Sequence, residues 1–253
     1  MPRVLVRPPS PRLAEGELTH LERVPVDAAL AQEQWRGYVA AWRDLGWTPV
    51  EVPRADEFPD GVFVEDAVVM FGSTAVLTSP GADSRRGELA TVAATLDDPG
   101  VEVHRITTPA TLDGGDVLKV GRTVYVGRSA RTNEHGIEAL AAIVEPLGYR
   151  VRPVPVTRTL HLKSQVTALP DGTVIGWAPK VDDPSAFDGF LAVPEEHGTA
   201  VVVVDDRTVL MSADAPETTE LLRSRGLEVV TVPITEFEKL EGCVTCLSVR
   251  LRD

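Results

Sequence analysis

Two side chains in distant parts of the chain could together carry out nucleophilic chemistry. Cys246 lies in a predicted strand over Val244–Leu251, where period-2 alternation places it on the same face as Ser248 and Arg250. A free cysteine is usually buried among apolar groups, so a polar setting indicates a reactive thiol. His161 begins another predicted strand and faces the polar side of it. Taken alone it would more often be structural, but beside a nucleophile it is a candidate general acid and base.

Two adjacent carboxylates interrupt a run that is otherwise almost wholly apolar. Glu65 and Asp66 lie within Val62–Phe71, which we predict to be a strand. Their side chains would then point to opposite faces, and at least one would be buried or face a cavity. Because a lone buried carboxylate is costly, a cationic partner is expected. The alternative is a bulge or strand end at which both carboxylates reach water.

Two arginines precede predicted helices, where the macrodipole favours acidic residues instead. Arg85 and Arg131 follow successive predicted hairpins at equivalent places in the chain. If they converge, two guanidinium groups and a helix N-terminus would hold one carboxylate well. The alternative is that both are solvated surface residues.

The two cysteines of the chain, Cys243 and Cys246, have the C-x-x-C spacing of a redox pair or of half a zinc site. Both interpretations are disfavoured by the sequence. Residues three apart on a strand face opposite ways, and there is no second cysteine pair to complete a zinc site. We assign no role to Cys243 at this point.

Composition limits the classes of partner. The 253 residues include 38 acidic and 25 basic side chains, a formal charge of -13, which opposes binding to nucleic acid or anionic lipid and attracts a small cation. The N-terminus lacks the apolar core of a signal peptide, and no apolar run approaches the length of a membrane span. Two cysteines provide no disulfide framework. We therefore expect a cytoplasmic protein without nucleic-acid or membrane partners.

The elements that must position these residues form a repeated pattern. Four hairpins are predicted, several of them followed by a helix and a further strand: Val62–Ser79, Asp116–Arg128, Gln165–Trp177 and Ala200–Ser212. With a first strand at Val4–Arg7 and a last strand at the C-terminus, about five similar α/β units result. Such repeats suggest a closed ring in which the last strand pairs with the first. The alternative is an ordinary α/β sandwich. In the absence of a linker-like tract, we expect a single domain over residues 1–253.

Six segments, in order along the chain, resemble the motif series of the dimethylarginine dimethylaminohydrolases. They are Phe63–Asp66, Gly81–Arg86, Thr111–Asp116, Arg131–Asn133, Leu160–Lys163 and Thr245–Ser248. The resemblance runs from Leu18 to the C-terminus and is specific as a set, although each motif alone is weak. It implies a five-bladed, pseudo-symmetric α/β propeller of the pentein superfamily, made of hairpin-helix-strand units, in agreement with the repeat count.

The resemblance also implies roles for individual residues. Cys246 corresponds to the nucleophile of the family, His161 to its proton donor and base, and Asp113 to a catalytic acidic residue. The implied substrate contacts are Leu18, Asp60, Glu65, Asp66, Arg85, Arg131 and Leu240. The implied reaction is hydrolysis of an N-omega-methylated arginine to citrulline and methylamine or dimethylamine. It passes through a covalent thiouronium intermediate and needs no metal or other cofactor.

Several functions remain open from the sequence. Arginine deiminases and amidinotransferases share the chemistry, although they are typically longer chains. A propeller without catalytic activity could serve as a binding module, and a redox protein could use Cys243 and Cys246. The expected partner is a small guanidino amino acid, bound by a monomer or homodimer.

Overall fold

Five units, each with one three-stranded sheet, make up the computed structural model, which describes residues 1–96 and 100–251. The 17-residue helix α1 begins after Asp27, whose carboxylate caps it by accepting bonds from the backbone of Ala29 and Leu30. Among the described residues, no helix has the length and apolar character needed to cross a bilayer. The strands and helices in chain order are β1 (Arg3–Val6), α1 (Ala28–Asp44), β2 (Thr48–Glu51), β3 (Val68–Phe71), β4 (Thr74–Leu77), α2 (Leu89–Thr95), β5 (Glu102–Arg105), β6 (Val117–Val120), β7 (Thr123–Arg128), α3 (Glu134–Val144), β8 (Arg150–Pro155), β9 (Thr167–Ala168), β10 (Val174–Gly176), β11 (Phe190–Ala192), β12 (Val201–Val203), β13 (Thr208–Ser212), α4 (Pro216–Ser224), β14 (Glu228–Val232), α5 (Thr235–Glu238) and β15 (Val249–Leu251).

Three units have the predicted hairpin-helix-strand order. In each, two antiparallel strands form a hairpin, and a helix then leads to a third strand parallel to the second: β3-β4-α2-β5, β6-β7-α3-β8 and β12-β13-α4-β14. The β3-β4 and β6-β7 turns contain Gly72 and Gly121 at φ 61° and 57°, which a residue with a Cβ adopts only at a cost. In the fourth unit, short 3-10 turns at Ala178–Lys180 and Pro184–Ala186 stand where the other units have a helix.

The ring is closed by its strands and by its cores. β15 pairs antiparallel with β1, so the two ends of the chain share one sheet, which also contains β2. Five hydrophobic cores lie between successive units, and each draws buried residues from two neighbours. Representative pairs are Leu5 with Met70, Phe71 with Val126, Leu118 with Val174, Ile175 with Val209, and Leu210 with Val4. Because the fifth unit shares a core with the first, the predicted α/β propeller is confirmed.

Three predicted strands are wrong around the centre of the ring. Val64–Ala67 is a 3-10 turn, Leu162–Ser164 is another, and residues 244–247 form a turn before β15. The run over residues 62–71 is buried along its whole length, so its apolar character reflects enclosure at the hub rather than a β ladder. Cys246 and His161 therefore stand on turns, not on strands.

Candidate active site

Segments from several units meet at a small, enclosed cavity of about 10 Å³. Most of the site residues predicted from sequence line it: Asp60, Asp66, Arg85, Arg131, His161, Leu240 and Cys246. Glu17, from the N-terminal segment, completes one side. The convergence of residues so far apart in the chain depends on ring closure, since Cys246 immediately precedes β15 and Asp66 immediately precedes β3.

An imidazole lies between two carboxylates at this cavity. Nε2 of His161 is 3.0 Å from Oδ2 of Asp113, and its Nδ1 is 3.7 Å from Oδ1 of Asp66. All three side chains are buried. Burial alone lowers the pKa of His161, but the charge of Asp66 and the hydrogen bond with Asp113 outweigh it and raise the pKa to about 9. At neutral pH the ring is therefore an imidazolium that can donate a proton.

Asp66 is held as an ionised carboxylate. Its Oδ1 accepts a hydrogen bond from the backbone of Gly115 at 2.9 Å, and its Oδ2 pairs with Nη1 of Arg85 at 2.6 Å. Burial opposes ionisation, but His161 and Arg85 hold the pKa of Asp66 at about 2. Position 115 requires glycine, because a Cβ there would lie 2.6 Å from Nδ1 of His161 and 2.7 Å from Oδ1 of Asp66.

Arg85 is bound on several sides by the protein itself. Its Nε and Nη2 bond to the carboxylate of Glu88 at 3.0 and 2.9 Å, and Nη2 also donates to the backbone oxygens of Asp60 and Phe63. It lies in a 3-10 turn, Asp83–Glu88, and the predicted helix begins only at Leu89. The sequence did not indicate Glu88, a buried acid three residues away. Arg85 thus reaches the cavity with most of its donors already satisfied.

Arg131 has a donor to spare. Its Nη2 pairs with Oε2 of Glu17 at 2.9 Å, and Nη1 lies 4.0 Å from Oδ2 of Asp113. Within residues 1–96 and 100–251, this buried Nη1 has no hydrogen-bond partner. Arg131 precedes α3, which is capped by the side chain of Asn133, so it lies outside the helix. The expected convergence of Arg85 and Arg131 on one cavity is confirmed, but both already contact protein carboxylates.

The nucleophile candidate is protonated when no ligand is bound. The hydrogen bond from the Cys246 thiol to Cys243, then burial, then the charges of Glu65 and Asp66 raise the pKa of Cys246 well above its ordinary value. The same hydrogen bond lowers the pKa of Cys243. The cause is local, because a ligand-free cavity supplies negative rather than positive charge near the sulfur. A bound cation would reverse this effect and favour the thiolate.

The turn at residues 244–247 also overturns the strand argument about the two cysteines. Sγ of Cys243 lies 3.4 Å from Sγ of Cys246, and Sγ of Cys246 also accepts a bond from the backbone N–H of Cys243. Residues three apart on a strand would face opposite ways, but a turn brings their side chains together. The two thiols are therefore in direct contact.

Both central acids are buried with cationic partners, as predicted, and the alternative in which both reach water is wrong. They lead to different cavities. Glu65 pairs with Lys163 and accepts from the hydroxyl of Thr245 at 2.9 Å. It lines a cavity of about 490 Å³ between the innermost strands of the five sheets, rather than the cavity of Cys246. Burial raises the pKa of Glu65 despite Lys163. The geometry thus separates Glu65 from the other predicted substrate contacts.

Residues 17–23, here called the lid, cover the cavity. The side chain of Leu18 packs against the core beside α1, so it is the adjacent Glu17 that lines the cavity. Glu17 binds Arg131, Ser84 and, through its backbone N–H, Asp60. Glu241, at the left-handed φ of 60°, accepts bonds from the backbone of Thr19, His20 and Leu21. The sequence offered no signal for either glutamate.

Asp116 positions the segment that carries His161. Its Oδ1 accepts from the backbone of Leu162 at 2.9 Å, and its Oδ2 accepts from the hydroxyls of Ser129 and Thr132, each at 2.6 Å. Burial raises the pKa of Asp116 to about 6 against these hydrogen bonds. Its place in the Thr111–Asp116 motif was the only signal that could have indicated it.

Two groups of side chains within the described residues have metal-ligating atoms within 4.8 Å of one another. They are Asp66, Asp113 and His161 at the cavity, and His197, Asp214 and Glu238 elsewhere. The carboxylates of the first group already accept hydrogen bonds from Arg85, Gly115 and Gly81. That arrangement suits a network holding a charged imidazole, because its cation requirement is met by protein groups.

Comparison with known proteins agrees with this geometry. Residues 22–168 match the family model described as N,N dimethylarginine dimethylhydrolase, eukaryotic. The N(G),N(G)-dimethylarginine dimethylaminohydrolase of Streptomyces coelicolor is 59% identical over 99% of this chain and 97% of its own. The fold is similar to that of a Pseudomonas aeruginosa dimethylarginine dimethylaminohydrolase mutant in complex with citrulline, with a TM-score of 0.91, 33% identity and 98% coverage of both chains. It is also similar to an adduct of a dimethylarginine dimethylaminohydrolase with S-methyl-L-thiocitrulline, with a TM-score of 0.90, 33% identity and the same 98% coverage. The chain belongs to the dimethylarginine dimethylaminohydrolase family.

Proposed function

We propose that this chain hydrolyses N-omega-methylated arginine, asymmetric dimethylarginine or monomethylarginine, to citrulline and the corresponding amine. The observation that carries the proposal is one cavity lined by a thiol, an imidazolium and a paired carboxylate, at Cys246, His161 and Asp66. Relatives that bear the name of this activity, and related structures with citrulline and a thiocitrulline adduct, support it. In this proposal the whole chain acts as one catalytic domain, since the site takes residues from both of its ends.

The cavity would recognise both ends of an arginine-like molecule. Asp66 faces the guanidinium, whose pKa is so high that the group stays charged and is held rather than deprotonated. Asp60 offers its carboxylate to the α-amino group. Arg131 offers its unpartnered Nη1 to the α-carboxylate, and a buried guanidinium nitrogen without an acceptor is costly unless a ligand supplies one. The finer choice of substrate among guanidino amino acids belongs to the proposal.

Entry of substrate requires the lid to move. The cavity, about 10 Å³, holds at most about one water molecule. Glu17 occupies Arg131 in the substrate-free protein, so the substrate carboxylate must displace the carboxylate of Glu17. Binding is then an exchange of one carboxylate for another on the same arginine.

The reaction divides into two halves around a covalent intermediate. The guanidinium favours loss of the proton from Cys246, and the thiolate attacks the guanidinium carbon to form a C–S bond. Protonated His161 transfers its proton to the methylated nitrogen, the C–N bond breaks, and the amine leaves a thiouronium on the sulfur. Neutral His161 then takes a proton from water, and hydroxide adds to the same carbon. The C–S bond breaks, the thiolate leaves, and the ureido group of citrulline is formed.

Asp113 contributes through the imidazole. It is fully buried, and its hydrogen bond to Nε2 helps to keep His161 protonated until the amine departs. Without that proton the departing nitrogen would have to leave as an amide anion, a very poor leaving group. In this proposal Asp113 and Asp66 together set the proton affinity of His161.

A substrate comparison tests the proposal. Purified protein is incubated separately with asymmetric dimethylarginine and with arginine, and citrulline, dimethylamine and ammonia are measured. The proposal predicts citrulline and dimethylamine in equal amounts from the methylated substrate and much slower turnover of arginine. Preferred turnover of arginine with release of ammonia would instead identify an arginine deiminase. Binding of either compound without turnover would identify a non-catalytic binding module.

A further inference from the structure

The contact between the two cysteines belongs to a local turn that could close a disulfide. The backbone N–H of Cys246 donates to the carbonyl of Cys243 at 3.1 Å, the i to i+3 bond of a β-turn. In such a turn the two Cα atoms lie within about 7 Å, inside the range that a disulfide spans. The sulfurs are 3.4 Å apart and need to approach to about 2 Å. That movement is within the reach of small side-chain rotations, with the backbone turn already formed.

The two sulfurs are reached from different sides. Cys246 lines the small cavity that the lid closes, whereas Cys243 lines a separate cavity of about 460 Å³ with Ser164, Thr199 and Ser212. Cys243 is partly exposed and Cys246 is buried. A small oxidant can therefore reach Cys243 through the larger cavity while the lid still shields the catalytic side of Cys246.

We propose that Cys243 and Cys246 are a redox modification site, at which hydrogen peroxide reversibly converts the two thiols into a disulfide. The formation of the disulfide does not depend on the enzyme activity. Its consequence, reversible loss of turnover, rests on the proposed function, because the disulfide removes the sulfur that attacks the guanidinium carbon.

The chemistry balances without further reagents. The thiolate of Cys243 attacks one oxygen of the peroxide, the O–O bond breaks, hydroxide leaves, and the sulfur becomes a sulfenic acid. Cys246 then attacks that sulfur, the S–O bond breaks, and the oxygen leaves as water with the proton of the Cys246 thiol. Two thiols are oxidised and one peroxide is reduced to two waters. A dithiol such as dithiothreitol reverses the change by two thiol–disulfide exchanges.

The sequence makes the product unambiguous, because the chain has only two cysteines. Protein is exposed to hydrogen peroxide at a small molar excess, remaining thiols are alkylated in denaturant, and the intact mass is measured. We expect the monomer to lose two hydrogen atoms and to take up no alkylating reagent. Dithiothreitol should restore both alkylation sites and, in parallel, the turnover of asymmetric dimethylarginine.

The matched variant is Cys243→Ser, which keeps a small polar side chain but cannot form the bond. After the same treatment it should gain oxygen atoms, and any activity that it loses should not return with dithiothreitol. Thermal unfolding of reduced Cys243→Ser checks that it is folded, and Cys243→Ala serves as a second variant if serine perturbs the turn.

Two results would overturn the inference: a treated wild-type protein that gains oxygen atoms without losing two hydrogens, or activity that returns equally in wild type and Cys243→Ser. The mass measurement is separate from the test of the proposed function. If the disulfide forms in a protein that does not hydrolyse methylarginine, the enzyme proposal fails and the modification site stands. If turnover is present and no disulfide forms, the reverse holds.

Discussion

Nε2 of His161 lies 3.0 Å from Oδ2 of Asp113, with both side chains buried, and this hydrogen bond helps to keep the imidazole protonated at neutral pH. Asp66 acts on the other ring nitrogen in the same sense. A protonated imidazole beside a neutral thiol differs from the usual thiolate–imidazolium pair. The positive charge that creates the nucleophile must then come from the substrate, so the thiol stays unreactive until a cation is bound.

The pH dependence of turnover should report this imidazole. Because the pKa of His161 is raised to about 9, kcat/KM for asymmetric dimethylarginine should fall as pH rises through about 9, when the proton donor is lost. In Asp113→Asn the same decline should move to lower pH, towards the ordinary value of 6.5, because one group that stabilises the cation is gone. A pH-rate profile of both proteins checks this, and coincident alkaline limbs would contradict it.

Glycine at position 115 should be essential for activity rather than for folding. In Gly115→Ala the new Cβ would displace His161 and Asp66, and a displacement of about 1 Å typically costs about 100-fold in rate. Gly37→Ala is the matched control, because a Cβ there meets nothing within 4 Å and lies in α1. We expect normal turnover in Gly37→Ala and a large loss of kcat in Gly115→Ala. Equal turnover in the two variants would show that the close packing at position 115 has no catalytic role.

Substrate affinity should improve when Glu17 is neutralised. In Glu17→Gln the competition for Arg131 weakens, and the pair is partly solvent-exposed, so KM for asymmetric dimethylarginine should fall about two- to five-fold. Inhibition by N,N-dimethylagmatine, which lacks the carboxylate, should not change. A rise in KM would show that Glu17 helps to bind substrate instead of competing with it.

The cap of α1 gives a stability prediction that is independent of function. Asp27→Ala removes the acceptor for the backbone N–H groups of Ala29 and Leu30, so it should lower the free energy of unfolding by about 1 kcal/mol. Asp27→Asn should retain most of the stability. Urea unfolding of the three proteins measures the difference, and equal midpoints would contradict the capping role.

The ring could be predicted because its signals are local and repeated. Turn glycines such as Gly72 and Gly121, period-2 alternation and helical spacing recur in each unit, and the closing strand pair follows from the repeat count. The residues of the cavity could be named from the resemblance because its motifs are specific as a set.

The parts that failed depend on enclosure and on distant contacts. At the hub the segments are buried on all sides, so periodicity did not distinguish a 3-10 turn at Val64–Ala67 from a strand. The same error hid the contact between Cys243 and Cys246. The pairing of Glu17 with Arg131 joins residues 114 positions apart, and neither residue type nor spacing indicates such a partner.

The most direct test of the whole account compares wild type with Cys246→Ser on asymmetric dimethylarginine. Citrulline is measured over time, and binding is followed separately by calorimetry. The account predicts steady citrulline formation by the wild type, and binding without detectable turnover by Cys246→Ser. In His161→Gly it predicts a stalled reaction, visible as a mass increase on the protein. Citrulline formation by Cys246→Ser at a rate close to wild type would contradict covalent catalysis by this thiol.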